Sequence, residues 1–390
     1  MHSVLHLIHD DRFSDAAIDQ FDACSGCHNT YLLITPGANA ATHLIRKAER
    51  VTVVAAESEE YRTILGKAYA IVFVHFKDRV KADALLYVRA GTKVVWLAWG
   101  GDFYGDIGMP LYQPLTMRLM DEAGRGAARE GALARLRKGK IWERLGRLCR
   151  RKYVEMRSMR RIGYCATVVP TEFDLVKRLP WFRARQIRFD YGFPKGSLED
   201  VGEGIEVGNA ILVGNSCTWE NNHAEVFERL KELGVMGRRI VVPLSYGKDR
   251  DDFRPVMELG ARCFGREFSP ILEEMPFGEY RALLRTCGAA IFNHERQQAV
   301  GNIVLMLWNG GKVFLSARSP VYAYLRSIGI VVSAFPDDLS PVALDTPLTL
   351  AQVHRNRAVL SREYSHDAVV KRTQDLVAWM LDGQGSAAGR

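Results

Sequence analysis

The stretch Gly288–Leu315 has the sequence GAAIFNHERQQAVGNIVLMLWNGGKVFL, which joins an apolar run, a polar turn, a helical segment and a second apolar run. The runs Ala289–Phe292 and Lys312–Leu315 have the length and composition of buried strands. Between them, apolar residues recur at helical spacing. A strand, a helix and a second strand in this order are typical of an α/β protein with a parallel sheet.

The same alternation of strand-like runs and helical segments extends along the whole chain. Several of the runs are continuous rather than alternating, which suits parallel strands that helices cover on both faces. The pattern predicts two α/β domains, each with a doubly wound sheet. The predicted strands of the first domain are Val4–Ile8, Tyr31–Ile34, Val51–Ala55, Ala70–Val74, Lys93–Ala98 and Thr167–Pro170. Those of the second are Ala210–Val213, Arg239–Pro243, Ala289–Phe292, Lys312–Leu315 and Ile330–Val332.

The length of 390 residues also favours two domains, because single cores stop growing well below that size. The segment Phe189–Gly208 contains five glycines and no apolar periodicity, so the join is expected there. We predict a first domain over 1–190, a linker over 191–208 and a second domain over 209–390. The last helix is allowed to return to the first domain.

Composition narrows the class of protein. Apolar residues make up 47% of the chain and charged residues 25%, as in soluble globular proteins. The apolar start Val4–Ile8 is too short for a secretory signal and is followed by Asp10 and Asp11. No apolar run approaches the roughly 20 residues that cross a bilayer. A cytoplasmic protein is expected.

Polar turns follow three predicted strands of the second domain. Ligands bind beyond the carboxyl ends of parallel strands, so these turns are candidate ligand loops. Gly214 allows close approach of a backbone, a helix start offers free N–H groups to a phosphate, and Arg296 adds charge. Glu295, Gln297 and Gln298 can bond sugar or base groups. The alternative is that the turns are ordinary loops and helix caps.

Some nucleotide and metal motifs are missing or weak. The chain has no G-x-x-x-x-G-K-[ST] loop, and no G-x-G-x-x-G follows the first strand. Asp249–Asp251 forms a D-x-D motif, but it lies in a run of mixed charge, KDRDD, and is interpreted as a solvated loop. We therefore predict no metal site and no cofactor.

Two carboxylates of the first domain are candidate catalytic bases. Asp11 follows the first strand, and Asp102 follows the apolar run that ends in Gly100 and Gly101. A carboxylate at a strand end can accept a proton from an attacking hydroxyl. Asp102 is slightly favoured, because Trp99, Gly100 and Gly101 form a tight approach to it. The alternative for each carboxylate is a helix cap.

The chain resembles the TDP-4-acetamido-4,6-dideoxygalactose transferases (fucosaminyltransferases) of enterobacterial common antigen assembly. The resemblance extends over nearly the whole chain. The residues that carry it are ILVGNS with Asn221 and His223, VVPLSY, YRALLRTC (Tyr280–Cys287) and RQQAVG (Arg296–Gly301), together with His6, Asp11 and WGGDFY (Trp99–Tyr104).

The resemblance implies a GT-B fold, in which two Rossmann-like domains face a cleft and the second domain binds the nucleotide-sugar. It implies a TDP-linked donor and a polyprenyl-diphosphate-linked saccharide as acceptor. GT-B enzymes commonly need no metal, because a helix N-terminus and basic side chains stabilise the leaving diphosphate. The donor-binding residues that we predict are Gly214, Asn215, Ser216, Asn221, His223, Pro243, Tyr246, Glu295, Arg296, Gln297, Gln298 and Gly301.

The chain departs from the family pattern in two places. The residues NHE before Arg296 replace more apolar ones, and the basic insert around Gly124–Lys140 is longer. Many retaining GT-B enzymes carry two glutamates eight positions apart near this loop. Here Ile303 stands eight positions after Glu295, so the sequence leaves the stereochemistry of transfer open.

Positive charge is concentrated in one segment. The chain carries a formal charge of +8, and Arg118–Arg161 contains 15 Lys or Arg against 5 Asp or Glu. Apolar residues at helical spacing within 141–159 predict a basic amphipathic helix that binds an anionic membrane surface. The membrane-contacting residues that we predict are Trp142, Arg144, Arg147, Arg150 and Arg151. The alternative is a salt-bridged surface helix. Nucleic-acid binding is not expected, because no nucleic-acid-binding motif accompanies the charge.

Together these features predict a peripheral glycosyltransferase at the cytoplasmic face of the inner membrane. It would transfer a 6-deoxy amino sugar from a nucleoside diphosphate to a lipid-linked saccharide during polysaccharide assembly. Two alternatives remain at this point: a nucleotide-sugar 2-epimerase of the same fold, and a non-enzymatic protein that binds anionic lipid.

Overall fold

The computed structural model describes residues 1–11, 13–37, 42, 44–124, 141–193, 195–198, 207–247 and 253–382, with the backbone alone over 141–147. Two parallel sheets organise these residues. The strands of the first sheet are β1 (His2–Ile8), β2 (Cys27–Thr35), β3 (Val51–Ala55), β4 (Ile71–His75), β5 (Lys93–Ala98), β6 (Tyr164–Thr167) and β7 (Arg185–Gln186). Those of the second are β8 (Ala210–Val213), β9 (Ile240–Pro243), β10 (Phe268–Ile271), β11 (Cys287–Phe292), β12 (Lys312–Ser316) and β13 (Ser333–Phe335).

Helices connect these strands and cover the sheets. In chain order they are α1 (Phe13–Asp22), α2 (Glu59–Leu65), α3 (Arg79–Ala84), α4 (Pro114–Glu122), α5 (Ile141–Arg161), α6 (Phe173–Val176), α7 (His223–Glu232), α8 (Arg254–Phe264), α9 (Phe277–Arg285), α10 (Val300–Asn309), α11 (Pro320–Ser327), α12 (Pro341–Asp345), α13 (Leu350–Tyr364) and α14 (His366–Leu381). Side-chain caps set several starts: Ser319, Ser340 and Ser365 each accept a backbone N–H of the following first turn.

The strand orders are those of doubly wound sheets. The first sheet has the order β3-β2-β1-β4-β5-β6-β7 and the second β10-β9-β8-β11-β12-β13. In each, the order reverses beside the first strand, so the switch points lie between β1 and β4 and between β8 and β11. The continuous apolar runs explain this arrangement, because β4 and β8 are buried along their whole lengths. The predicted fold of two doubly wound α/β domains is confirmed.

The chain divides into two compact units whose boundaries differ from the predicted ones. The first unit comprises 1–108, 139–195 and 363–390, and the second comprises 109–138 and 196–362. The passage from 195 to 196 falls inside the predicted linker, and the last helix, α14, does return to the first unit. Within the first unit Leu376 and Met380 of α14 join the core around Phe73 and Val95.

The segment around α4 belongs to the second unit, although the sequence suggested the first. Leu119 of α4 is buried in the core that surrounds Ile211 and Phe314. The carboxylate of Glu225 accepts the backbone N–H groups of Leu115 and Thr116 at 2.8 and 3.0 Å, which caps the start of α4. Apolar burial and a capped helix start thus fix α4 to the second sheet's helical layer.

Candidate functional site

Two polar turns lie side by side at the switch point of the second sheet. One follows β8 and begins at Gly214, and the other follows β11 and ends at Gln298. The amide of Gln298 crosses between them, because its Nε2 donates to Asn215 Oδ1 at 3.0 Å and to Ser216 Oγ at 3.1 Å. The structure therefore brings together residues that the sequence placed more than 80 positions apart.

Asn221 is the centre of this arrangement. Its Oδ1 accepts the backbone N–H of Asn215 at 2.9 Å and lies 2.9 Å from Nε2 of His294. Its Nδ2 donates to the backbone oxygen of Ser216 at 3.0 Å. Since donor and acceptor atoms of this buried amide are occupied by the protein, Asn221 shapes the turn rather than offering a free amide to a ligand.

Gly214 is required by its neighbours and by its backbone angle. Its φ is +67°, a left-handed conformation that favours glycine. A Cβ at this position would lie 2.4 Å from Nε2 of His223 and 2.8 Å from Oδ1 of Asn221. From the sequence alone, close approach of a ligand is the expected reason for this glycine. The structure shows that the chain's own side chains occupy that space.

His223, the first residue of α7, is buried with an exposed fraction of 2%. It packs against Phe227 and Phe253. Neither ring nitrogen has a hydrogen-bond partner in the described part of the chain. Burial lowers the pKa of His223 to about 3, so the ring is neutral at pH 7. His223 therefore packs as a neutral ring beside Gly214, at the start of the turn after β8.

Glu295 is buried and held by two side chains that the sequence analysis did not identify. Its Oε1 accepts hydrogen bonds from Gln113 Nε2 and from Arg318, each at 2.5 Å. Gln113 also exchanges hydrogen bonds with Asn293, at 3.0 and 2.9 Å. The second unit thus includes a residue from between the first sheet's strands, and no sequence signal links Gln113 to position 295.

Among the predicted donor-binding residues, Arg296 carries the positive charge. It is half-buried, and its Nη1 donates to the backbone oxygen of Gln297 at 3.0 Å. In the described residues no carboxylate forms an ion pair with it. Ala299, at the start of α10, has a left-handed φ of +62°, and no side chain caps the helix. The first N–H groups of α10, which include that of Gly301, follow Arg296 by a few positions along the chain.

Pro243 and Tyr246 follow β9 on the same edge. Pro243 is buried and pairs in register with Ile271, which gives it a place in the sheet. Tyr246 is exposed, and its hydroxyl accepts Asn215 Nδ2 at 2.7 Å. Tyr246 is therefore connected to the turn after β8, while the D-x-D motif at 249–251 lies outside the described residues.

In the first unit, Asp102 is buried and its carboxylate is occupied by N–H groups. Oδ2 accepts the backbone N–H of Lys77 at 2.9 Å and Trp96 Nε1–H at 2.8 Å, and Oδ1 accepts the backbone N–H of Trp99 at 2.9 Å. Burial raises the pKa of Asp102, while these donors act in the opposite direction. The geometry is that of a carboxylate that fixes a loop, which weakens its case as a catalytic base.

Asp11 has a different role from that of Asp102. It is half-buried, and its Oδ1 accepts the backbone N–H of Phe13 at 3.0 Å, at the start of α1. This is the capping role that the sequence analysis weighed as the alternative. Within the described residues Oδ1 accepts this one hydrogen bond and Oδ2 accepts none, so Asp11 replaces Asp102 as the better candidate base.

Helix α5 confirms the predicted helical character of the basic segment. The side chains of Trp142, Arg144 and Arg147 lie outside the described residues, as does the insert over 125–140. Arg150 and Arg151 are described and exposed. No described helix combines the length and the hydropathy that a membrane span needs, and the described residues contain no cluster of His, Cys, Asp and Glu that could hold a metal ion.

Solved structures with similar architecture define the class of fold. Anabaena HepE in complex with UDP-glucose superposes with a TM-score of 0.63 at 10% identity, covering 97% of this chain and 100% of that one. Sucrose-phosphate synthase from Thermosynechococcus elongatus gives 0.61 at 10% identity, covering 98% and 99%. A glycosyltransferase from Rickettsia africae ESF-5 gives 0.61 at 10% identity, covering 98% and 100%. These similarities establish the GT-B fold.

A family model adds what fold similarity alone does not give. The model of 4-alpha-L-fucosyltransferases, glycosyl transferase group 56, matches residues 198–369, which is less than half of the chain. The match spans the second sheet and includes both turns at its switch point. The fold and this match together identify a glycosyltransferase, and they support a fucosyltransferase-type family.

Proposed function

We propose that this chain transfers a 6-deoxy amino sugar from a TDP-linked donor, TDP-Fuc4NAc, to a lipid-linked saccharide in the assembly of a cell-surface polysaccharide. The observation that carries the proposal is the pair of turns at the switch point of the second sheet. The turn after β11 carries the half-buried guanidinium of Arg296, which has no carboxylate partner among the described residues, and leads into a helix start that no side chain caps. This combination suits the diphosphate of a nucleotide-sugar.

The remaining polar groups of these turns suit a positioning role. Asn221 and Gln298 hold the two turns together, so that Arg296 and the start of α10 keep fixed positions. A preorganised cationic site stabilises negative charge that develops on a leaving diphosphate without a metal ion. Sugar transfer by this arrangement breaks the bond between the anomeric carbon and the diphosphate oxygen, and the acceptor hydroxyl must lose its proton to a base.

Asp11 is the proposed base, with Asp102 as the less favoured candidate. A carboxylate that accepts one backbone N–H retains an oxygen for the acceptor's proton. The expected result for Asp11→Asn is a loss of turnover by about 10²–10⁴-fold with unchanged affinity for the nucleoside diphosphate. Unchanged turnover in this variant would remove Asp11 from the mechanism.

The donor is tested by incubating the protein with TDP-Fuc4NAc and a polyprenyl-diphosphate-linked saccharide, and following transfer of the sugar by mass spectrometry. The proposal expects a product that gains one sugar only when both substrates are present. Conversion of the donor without acceptor would indicate the 2-epimerase alternative. The absence of any binding by TDP, UDP and GDP would contradict a donor site in the second unit.

The location that we propose is the cytoplasmic face of the inner membrane, with helix α5 in contact with anionic lipid. Basic amphipathic helices bind such surfaces, with each basic residue near the surface contributing about 1 kcal/mol. Reversing Arg144, Arg147, Arg150 and Arg151 to Glu should abolish sedimentation with anionic vesicles and leave nucleotide affinity unchanged. Sedimentation by the quadruple variant would contradict the membrane role of α5.

A further inference from the structure

The first unit contains a cavity of about 150 Å³ that none of the predicted roles explains. It lies where β4 and β5 end, beside helices α3 and α5. Lys77 follows β4, Arg79 begins α3, and Arg150, Arg151 and Glu155 are on α5. Two separate parts of the chain, the segment after β4 and helix α5, therefore contribute cationic side chains to one small space.

Lys77 is the buried cation of this cavity. Its side chain is only 4% exposed, and its ammonium donates to Glu155 Oε1 at 2.8 Å. The ammonium also lies 5.5 Å from the centre of the Trp96 ring. An ammonium group has three N–H donors, and Glu155 takes one of them. Within the described residues the ammonium has no other hydrogen-bond partner, so a buried group with free N–H donors adjoins the cavity.

The exposed cations of the cavity are Arg79, Arg150 and Arg151. In the described part of the chain, none of the three forms an ion pair with a carboxylate. Four carboxylates also line the space, but two of them are already engaged. Asp78 bonds Lys81 at 2.9 Å, and Glu155 bonds Lys77. Among the described residues, the lining groups without an ion-pair partner are then the three guanidiniums and the carboxylates of Asp83 and Asp106.

We propose that this cavity binds a phosphate group. Guanidinium groups bind phosphate oxygens through paired N–H donors, and a buried ammonium adds a further charge-assisted bond. The two remaining carboxylates suit hydroxyl groups on the phosphate's alcohol. A phosphate ester with a hydroxylated neighbour fits this set of groups. Such a phosphate can come from a lipid headgroup or from a soluble ester.

This site differs from the membrane contact proposed for α5. A basic helix surface attracts anionic lipid through summed charge, whereas the cavity requires particular side chains. It is also independent of the nucleotide-sugar site, because every residue that lines it belongs to the first unit. Failure of one site therefore does not imply failure of the other.

The first experiment measures binding of inorganic diphosphate to the full chain by calorimetry. The double variant Arg150→Gln/Arg151→Gln should raise the dissociation constant of this site about tenfold or more, because charged hydrogen bonds are lost. Arg79→Gln, on a different helix, should weaken the same binding. The Arg296→Ala variant should leave it intact, since diphosphate at the switch point of the second sheet is a separate event.

The matched control is Lys152→Gln/Arg160→Gln, which removes the same charge from exposed positions of α5 outside the cavity. Measured in the Arg296→Ala background, diphosphate binding that survives in the control and is lost in the double variant supports the cavity. Equal loss in both variants would overturn it, because charge alone would then explain binding. The absence of diphosphate binding in the unaltered chain would also overturn it.

The second experiment distinguishes the two sources of phosphate. Phosphatidylglycerol vesicles are mixed with the chain in the presence and absence of inorganic diphosphate. Vesicle binding that diphosphate displaces, and that the double variant but not the control loses, assigns the cavity to a lipid phosphate. If diphosphate leaves vesicle binding unchanged, the phosphate that the cavity binds belongs to a soluble ester.

Discussion

The carboxyl edges of the two sheets use their polar side chains differently. In the second unit, Asn221 and Gln298 are bonded within the protein, while Arg296 forms no ion pair with any described carboxylate. In the first unit, Asp102 has both carboxylate oxygens occupied by N–H donors. A cluster of polar residues after a strand therefore contains two kinds of group. Some hold the turn together, and others have atoms that are available to a ligand. Only the second kind indicates function.

The largest expected effect concerns Gly214, the residue on which the turn after β8 depends. Gly214→Ala should lower the free energy of unfolding by about 2–5 kcal/mol, from a left-handed backbone and overpacking against His223. The matched control is Gly234→Ala, which has φ +64° and nothing within 4 Å of the added Cβ. Urea denaturation of both variants measures the difference. Equal destabilisation would contradict the packing of His223 against this glycine.

A second prediction compares buried histidines of the two units under acid. Burial lowers the pKa of His6 and of His223 to about 3, against about 6.5 in an unfolded chain. Between these values only the unfolded chain binds the proton, so stability falls as the pH falls below 6.5. Each histidine should lower the free energy of unfolding by about 2 kcal/mol as the pH falls from 6.5 to 5. Urea denaturation at several pH values measures this change.

The two rings should respond differently to replacement. His6 lies 3.2 Å from Asn29 Oδ1 and 3.2 Å from a ring nitrogen of His75, whereas His223 has no described partner. His6→Leu should destabilise the protein at pH 7.5 by leaving buried polar groups unpaired, while His223→Leu should mainly flatten the acid dependence. An unchanged acid dependence in His223→Leu would contradict a neutral buried ring.

The third prediction separates the roles of the two aspartates. Asp102→Asn should cost about 1–3 kcal/mol of stability, because the new NH₂ group faces an N–H donor. Asp11→Asn should leave stability nearly unchanged, since Asn also caps a helix. Thermal denaturation measures both. A stable Asp102→Asn variant with lost turnover would restore Asp102 as the catalytic base.

The smallest expected effect is at Gln113. Gln113→Ala should remove one of the two hydrogen-bond donors to Glu295. Binding of the nucleotide-sugar should weaken a few-fold, a loss of about 1 kcal/mol of binding free energy. Gln186→Ala, an exposed glutamine of the first unit, is the control. An affinity for the nucleotide-sugar equal to that of the control would confine Gln113 to a role in folding.

Much of the fold follows from the sequence because continuous apolar runs identify buried parallel strands. The prediction located β5 and β8 at their observed bounds. It missed β10, whose sequence FSPI has a proline and only half-buried residues, and β7, which has two exposed residues. It also displaced β6 by three residues, to Thr167–Pro170, because the apolar pair before Pro170 outweighed the mixed segment Tyr164–Thr167.

The candidate site was partly predictable for a related reason. Strand ends and helix starts are visible in the sequence, so Gly214, Gln298 and Arg296 could be grouped at one edge. Long-range partners were not visible. Gln113 contacts Glu295 across 182 positions, and nothing local to Gln113 specifies that contact. Likewise, the two oxygens of the Asp102 carboxylate accept N–H groups from two different strand ends, which the sequence does not show.

The most direct test of the central claim is binding of nucleoside diphosphates to the Arg296→Gln variant, measured by calorimetry against Arg262→Gln, an exposed arginine of α8. TDP, UDP and GDP are titrated separately. The account predicts that TDP binds the unaltered chain and the control with equal affinity. It predicts that Arg296→Gln loses about 1.5–3 kcal/mol of the binding free energy of TDP, which is the contribution of a charged hydrogen bond. Equal affinity in all three proteins would contradict a donor site at the switch point of the second sheet.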